Sequence, residues 1–570
     1  KADLAVAMDP LAPLVSSART VLALTALLTT TLVVTNFVQK SHLAIPEAIV
    51  TVLVGIASGA IAIQWKEIDS STFLQLEDAS TVQFLLVFIA PIIFAEGYGM
   101  KSRQFFENLT RILCHAFIGT GISTVIIAIF VFYGPLLPDI SMAECLAFGA
   151  MISATDPVTT LAMFKEQNLV EKGLGHLYYS VLGESILNDA VGITLFAGFS
   201  ELVRQDSDIT GTSLMLMLLQ FFLTFMGSMV LGIMFGVLTA AVLRIGRLGS
   251  RPGDDDEDAL HFNVPELGTM LFMSYMPFLV GTALPPLSGI VTVLFTGVTS
   301  RHYAHYNLTS TTRSVFLPIV ELLAGLSETY VFLLIGLGIF SMKDHYSLPL
   351  ILWTMIACLF ARALQVYPLA YLVNRLSHAE QFTRKEMHVM WFAGLRGAVA
   401  FMCALSFPER KGLEHRNYII ATTIVVAISS MVLLGWPTGR LLQCMDIEGD
   451  ARLAFQAHSH VPNPLLESPA SPAGPVRWLA CTCGQARMHV WDDRIKRILM
   501  PPRAVQERDE RRQQALRAPT FSRQATASSW RTASPAERRV LSFDVAQTQT
   551  PGSVASSSRS RSRSRSIANP

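Results

Sequence analysis

The chain has 570 residues, 51% of them hydrophobic and only 15% charged, with a formal net charge of +1 and a mean hydropathy of +0.43. Soluble domains run nearer a quarter charged, so this composition excludes an ordinary soluble globule and points to a polytopic membrane protein. Seven scattered cysteines (Cys114, Cys145, Cys358, Cys403, Cys444, Cys481 and Cys483) form neither a disulfide framework nor a zinc spacing.

A bilayer core takes about 20 apolar residues per helix. In chain order the apolar runs predict an N-terminal segment over 1–17 and then thirteen spans, at 18–38, 44–63, 81–100, 112–133, 142–164, 176–202, 213–245, 266–286, 287–304, 316–341, 348–373, 388–408 and 418–441. The chain starts at Lys1 rather than Met, which leaves room for a start or targeting segment upstream. Spans eight and nine nearly touch at Pro285-Pro286. The expected fold class is an all-α polytopic membrane protein with a transmembrane domain over 18–442, its core around 81–202 and 316–408.

Thirteen spans put the termini on opposite sides. With the C-terminus cytoplasmic, the inside loops carry 14 Lys and Arg and the outside loops 6. The positive-inside rule therefore favours an external or luminal N-terminus. Both glycosylation sequons, at Asn108 and Asn307, then fall in inside loops and are expected to be unused.

Span five is broken by Asp156-Pro157, and span twelve by Gly394 and Gly397 around Arg396. The two are seven spans apart, as in two inverted six-helix repeats joined by span seven. Broken helices at matching positions of two halves point to a transporter's binding site.

Residues 443–570 are rich in Ser, Arg, Pro and Ala and read as a cytoplasmic regulatory tail, mostly disordered. One amphipathic stretch, Val490 to Leu499, fits a membrane face or a partner. Cys481 and Cys483 read as unmodified tail thiols ahead of palmitoylation sites, and Arg538-Arg539-Val540-Leu541-Ser542 is a weak match to a basophilic kinase site. The Arg-Ser run from Arg559 reads as a phosphorylatable tail rather than a nucleic-acid contact, given thirteen membrane spans.

The chemistry lies in three polar islands within apolar spans: Ala154-Thr155-Asp156-Pro157-Val158, Gly183 to Val191, and Gly394-Leu395-Arg396-Gly397-Ala398. Charged groups in hydrocarbon are costly, so each is a functional-site hypothesis. Positions i and i+4 share a helix face, so Glu184 stacks with Asn188, and Ser185 with Asp189. The second pair is a hard-oxygen set suited to an alkali cation. Arg396 is the natural countercharge for Glu184, which leaves Asp189 to hold either a proton or a cation, but not both. Pro157 interrupts its helix and frees carbonyls near Thr155 as further ligands. Asp156 then faces positive half-helix ends, and Arg396 is equally placed to face negative ones. Glu96, Glu328 and Arg362 are accessory candidates, the last two read as structural pairs. His115 and His176, near span ends, read as core or solvated residues.

These islands resemble the signature segments of the eukaryotic sodium/proton exchanger family, within the cation/proton antiporters. Weaker matches are Pro91-Ile92-Ile93-Phe94, Ser327-Glu328-Thr329 with Phe332 and Gly336, and Ala361-Arg362. They run in family order over residues 80–445, and the likeness is nearest to endomembrane-type members. The resemblance implies a thirteen-helix fold with inverted repeats, a homodimer, and elevator-like exchange of Na⁺ or K⁺ for H⁺ without a cofactor. It implies a cation at Asp189 with Ser185, Asn188, Asp156 and the Thr155 carbonyl nearby, and a Glu184–Arg396 ion pair. Asn188-Asp189 matches the electroneutral branch, whereas the electrogenic branch has Asp-Asp and a lysine partner. One departure stands out. Members usually carry an acid directly after the Pro-Pro-Ile-Ile run; here Ala90 replaces the first Pro, Ala95 takes the acid's place and Glu96 follows. One helical step turns a side chain by about 100°, so Glu96 is not carried over with the rest.

The leading expectation is electroneutral exchange in the plasma membrane or an endomembrane, regulating pH and cation content. The alternatives are an ion channel, though the sequence has no arginine ladder or pore ring, and a transport-inactive scaffold, against which the intact acidic residues argue. An enzyme is not expected, since no nucleophile–base arrangement or phosphate loop is seen.

Overall fold

A computed structural model describes residues 12–40, 45–64, 79–100, 105, 108–134, 139–156, 158–167, 169, 174–205, 210–246, 264–376, 381–409, 415–444 and 495. Among these, all regular structure is helical. In chain order the helices are α1 (Ala12–Lys40), α2 (Glu47–Gln64), α3 (Ala79–Gly99), α4 (Leu109–Tyr133), α5 (Met142–Ser153), α6 (Val158–Glu166), α7 (Gly175–Arg204) and α8 (Gly211–Ile245). They continue as α9 (Val264–Ala283), α10 (Gly289–His302), α11 (Ser310–Ser341), α12 (Leu348–Leu376), α13 (Arg384–Phe392), α14 (Ala398–Leu405), α15 (His415–Ser430) and α16 (Thr438–Cys444). Among the described residues, six helical stretches are long and apolar enough to cross a membrane, and three shorter ones are also apolar.

Local sequence sets several of these boundaries. Ser141-Met142-Ala143-Glu144 and Thr383-Arg384-Lys385-Glu386 each form a reciprocal capping box that starts a helix. The span expected over 266–286 stops at Ala283, ahead of the two prolines. The span expected over 142–164 divides into α5 and α6, and the one over 388–408 divides into α13 and α14. Two departures from α-helix are π turns, the second just ahead of Pro437, whose i−4 carbonyl belongs to Leu433. A π turn at Cys114–Gly119 lies inside α4, and a second at Met431–Gly435 follows α15.

The site is held by a tight bundle. α4 packs on α5 and α12, α7 packs on α5, α3 packs on α10 and α11, and α14 packs on α15. Without a hydrophobic drive between helices in lipid, small residues let backbones approach. Where α2 crosses α11, a Cβ on Gly55 would lie 2.6 Å from the Leu333 carbonyl oxygen. By contrast α8 leaves Leu216, Leu219, Phe222 and Leu223 exposed, as a hydrocarbon-facing helix would.

Neither sequon presents an open side chain. Asn108 is buried and accepts from Arg111 Nη1 at 2.7 Å, and Asn307 Nδ2 donates to the Ala240 carbonyl at 2.9 Å. The tail readings fall outside the described residues, as does Pro157, except at Ile495. That residue is helical and packs against the main apolar core.

Candidate functional site

The two broken helices meet at their breaks. α5 ends at Ser153, and Ala154 turns to an extended backbone with φ −57° and ψ 130°. The Asp156 N–H donates to the Leu395 carbonyl at 2.9 Å, joining one break to the other. The ends of both half-helices carry unsatisfied backbone groups, and each break sends a charged side chain to the other. Arg396 Nη1 donates to the carbonyls of Ser153 at 2.6 Å and Ala154 at 3.3 Å, at the negative end of α5. Asp156 Oδ2 accepts from the Ala398 N–H at 3.4 Å, at the positive end of α14. Ser430 fixes the basic break from α15: its Oγ accepts from the Arg396 N–H at 3.0 Å and donates to the Arg396 carbonyl at 3.1 Å.

α7 grips the acidic break. Ser185 Oγ donates to the Thr155 carbonyl, and Asn188 Nδ2 donates to the Ser153 carbonyl at 3.1 Å and to Thr155 Oγ1 at 3.0 Å. Thr120 Oγ1, directly after the π turn of α4, donates to Asn188 Oδ1 and so fixes which way the amide points. Ser185 and Asn188, one turn apart on α7, thus work together against the break.

Asp189 looks elsewhere. It is 3% exposed, and its Oδ1 has no hydrogen-bond partner. It lines a cavity with Glu96, Asp156 and Glu328, walled by Ile89, Ile92, Val331, Phe332, Ala398, Val399 and Met402. Glu96 reaches this cavity despite its offset, because Ile89, Ile92 and Glu96 fall at i, i+3 and i+7 of α3 and share one face. Its Oε2 is buried there without a partner. Four acidic side chains thus line one cavity whose remaining walls are apolar, a costly arrangement at membrane depth.

The ion pair expected between Glu184 and Arg396 is not the one formed. Glu184 is bridged by Arg362 of α12, whose Nη1 donates to Oε1 while Nη2 donates to the Met390 carbonyl at 3.0 Å. The reason is competition: Arg396 is taken up by the freed carbonyls of α5, whereas Arg362 lies on a helix facing Glu184. Gln365, one turn on from Arg362, donates to Glu184 Oε1 at 3.0 Å and to the His115 carbonyl at 3.3 Å, and accepts from Ser123 Oγ at 2.9 Å. Thr120, Gln365 and Ser430 were not singled out from the sequence. Gln365 carried a readable signal, a long amide in an apolar run three residues after an arginine. Thr120 and Ser430 carried none, since such hydroxyls satisfy themselves on a preceding-turn carbonyl anywhere in a membrane helix.

Residues 24–444 match the family described as sodium/hydrogen exchanger, transmembrane. The chain is 34% identical over 411 residues to sodium/hydrogen exchanger 8 of Homo sapiens, covering 71% of this chain and 67% of that protein. It is 32% identical over 414 residues to sodium/hydrogen exchanger 5 of Arabidopsis thaliana, covering 71% and 75%. Among solved structures, the sodium proton antiporter MjNhaP1 from Methanocaldococcus jannaschii superposes with a TM-score of 0.59 at 20% identity, over 75% of this chain and 99% of that one. That likeness extends the agreement to the fold. The match over residues 24–444 and the 34% identity over 67% of sodium/hydrogen exchanger 8 together place this chain, an integral membrane protein, in the sodium/hydrogen exchanger family.

Proposed function

We propose that this protein exchanges Na⁺, or K⁺, for H⁺ across a membrane by alternating access, with Asp189 as the group that holds either ion. The observation that carries the reading is a buried carboxylate with an unpartnered oxygen, in the middle of a membrane helix and facing a cavity of further acids. A lone anion at that depth is costly, so Asp189 is neutralised in turn by a proton and by a cation. The two cannot be held together, and that exclusion couples their movements. Asn188 contributes an amide where a second acid would add charge, which supports one cation for one proton and no net charge moved.

The rest of the site orients this exchange. Ser185 and Asn188 hold the Thr155 segment, whose oxygens are further candidate cation ligands, and the next residue, Asp156, lines the cavity itself. Glu96 and Glu328 extend the acidic surface and give an arriving cation successive oxygens. Arg396 and the Glu184–Arg362 bridge carry no transported ion; they hold the helices around the cavity. The protein crosses the membrane thirteen times in two inverted six-helix repeats, with its C-terminus cytoplasmic, and it works as a homodimer without a cofactor. The tail of residues 443–570 serves regulation through kinases or partner proteins. The likeness to endomembrane-type members makes an internal compartment the first membrane to examine.

The test is exchange in proteoliposomes under Na⁺, K⁺ and Li⁺ gradients over a pH series. Cation-driven proton movement insensitive to membrane voltage is expected. Asp189→Asn should abolish it while the protein stays folded; unaltered exchange by that variant would remove Asp189 from its role.

A further inference from the structure

Two histidine–carboxylate bridges lie away from the cavity, and the exchange chemistry uses neither. His415 Nδ1 is 3.0 Å from Glu144 Oε1, and His176 Nε2 is 3.0 Å from Glu386 Oε1. The four side chains are at most 12% exposed.

The bridges are built alike. Each glutamate is the third residue of a helix that breaks, α5 or α13. Each uses Oε2 to accept from the backbone N–H of its own N-cap, Ser141 at 2.8 Å or Thr383 at 2.7 Å, and turns Oε1 to the imidazole. Each histidine stands at the start of the helix following the other broken pair: His415 opens α15, and His176 is the second residue of α7. The bridges sit at opposite ends of the bundle. Arg111, near the start of α4, lies 5.0 Å over the Phe382 ring, and that ring meets the His176 ring at 6.1 Å. α5 packs back along α4 from its far end, which puts Glu144 at the other extremity.

With the contacts at the breaks, these bridges close a circuit. α5 is joined to α15 through Glu144–His415, and α15 to the basic break through Ser430. α13 is joined to α7 through Glu386–His176, and α7 to the acidic break through Ser185 and Asn188. At about 1.5 Å per residue, each bridge acts on its break from roughly 9 to 22 Å away.

We propose that the two bridges are paired braces, one at each end of the transport core, that keep the crossed breaks in register and so set the geometry of the cation site. This rests on the exchange reading above. His176, Glu386, His415 and Glu144 are positioning residues: they touch no transported ion and act through the helices they tie. Ligand oxygens must be held to within a fraction of an ångström for an alkali cation to be chosen by size. Loosening a brace should therefore relax affinity and ion preference before it slows turnover.

The experiment is proteoliposome exchange by the full chain carrying His176→Ala, His415→Ala, both together, or the conservative His176→Gln and His415→Gln. Each alanine variant should raise the apparent KM for Na⁺ by about 3- to 10-fold, narrow the preference among Na⁺, K⁺ and Li⁺, and leave kcat within about 2-fold. The glutamine variants, which keep a hydrogen bond to the carboxylate, should stay near the parent. The double alanine variant should do little more than either single one, because a circuit opened once is already open. A lowered kcat at constant KM, glutamine variants as impaired as alanine, or single effects that multiply would each overturn the braces. If an alanine variant fails to fold, His176→Phe and His415→Phe, which keep a buried ring but no hydrogen bond to the carboxylate, decide the matter: a raised KM supports the braces and an unchanged KM removes them. A parent protein that exchanges nothing would instead refute the exchange reading.

Discussion

The two helix breaks are chemically opposite and are stabilised by opposite means. The break at 154–156 is alanine, threonine and aspartate, and it is gripped from α7 by side chains that bond its carbonyls and its hydroxyl. The break at 394–397 is glycine, leucine, arginine and glycine, and it is held through its backbone by Ser430. The acidic break presents oxygens beside a cavity; the basic break presents none there and sends its guanidinium into α5. In the proposed exchange, this difference leaves only the acidic break to meet the cation. The other supplies the fixed positive charge that lets negative helix-end carbonyls stay buried.

The sharpest way to break this comparison is to exchange the work of the two arginines. Arg362→Gln strands the Glu184 carboxylate, and removing one partner of a buried pair typically costs about 3–5 kcal/mol. Folding or delivery should fail in that variant, as read by fluorescence-detected size exclusion. Glu184→Gln combined with Arg362→Gln should recover part of the loss, whereas Glu184→Gln combined with Arg396→Gln should recover none. Recovery in the second pairing and not the first would restore the ion pair expected from the sequence.

Arg396→Gln should have a smaller effect, of about 1.5–3 kcal/mol, the range for hydrogen bonds made by a charged group. It leaves the Ser153 and Ala154 carbonyls without their cation but leaves Glu184 paired. A lowered melting temperature with exchange retained at low temperature would fit this. A loss as large as that of Arg362→Gln would mean that Arg396 also neutralises Glu184.

How much of this was legible follows from what each residue type can announce. Pro157 and the glycines around Arg396 announce broken helices at any depth in a membrane, so both breaks are visible in the sequence. Glu184, Asp189 and Asp156 announce themselves by their cost in hydrocarbon. Which arginine meets Glu184 depends on how α12 and α13 are rotated about their axes, and no local pattern fixes that. Glu96 is the converse case. Family spacing argued against it, but the face it shares with Ile89 and Ile92 carries it to the cavity. The π turn that precedes Thr120 has no compositional mark, so the hydroxyl that orients Asn188 stayed hidden among ordinary apolar neighbours.

The glycines sharpen the comparison further. A Cβ on Gly397 would fall within 2.5 Å of Asp156 Cγ, a short side chain with little room to move, whereas one on Gly394 would fall 2.9 Å from Cδ of the longer Arg362. Overpacking costs about 1–3 kcal/mol, and the neighbour's freedom decides where in that range a variant falls. Gly397→Ala should abolish exchange by displacing the acid from the cavity, with Gly394→Ala impaired less. The reverse order in an exchange assay would mean that the basic break is positioned by its arginine alone.

The smallest expected effect belongs to Ser430→Ala, which removes one hydroxyl that both accepts from and donates to the backbone of Arg396. Its loss should cost about 0.5–1.5 kcal/mol, the net value of an ordinary hydrogen bond, with some exchange retained. Thr155→Ala at the other break removes a hydroxyl that accepts from Asn188, leaving the Thr155 carbonyl in place. If the acidic break alone meets the cation, Thr155→Ala should shift the ratio of Na⁺ to K⁺ transport and Ser430→Ala should leave it unchanged, even where the two variants melt alike. A changed ratio in Ser430→Ala would show that both breaks shape the cation site, and the division of labour between them would fall.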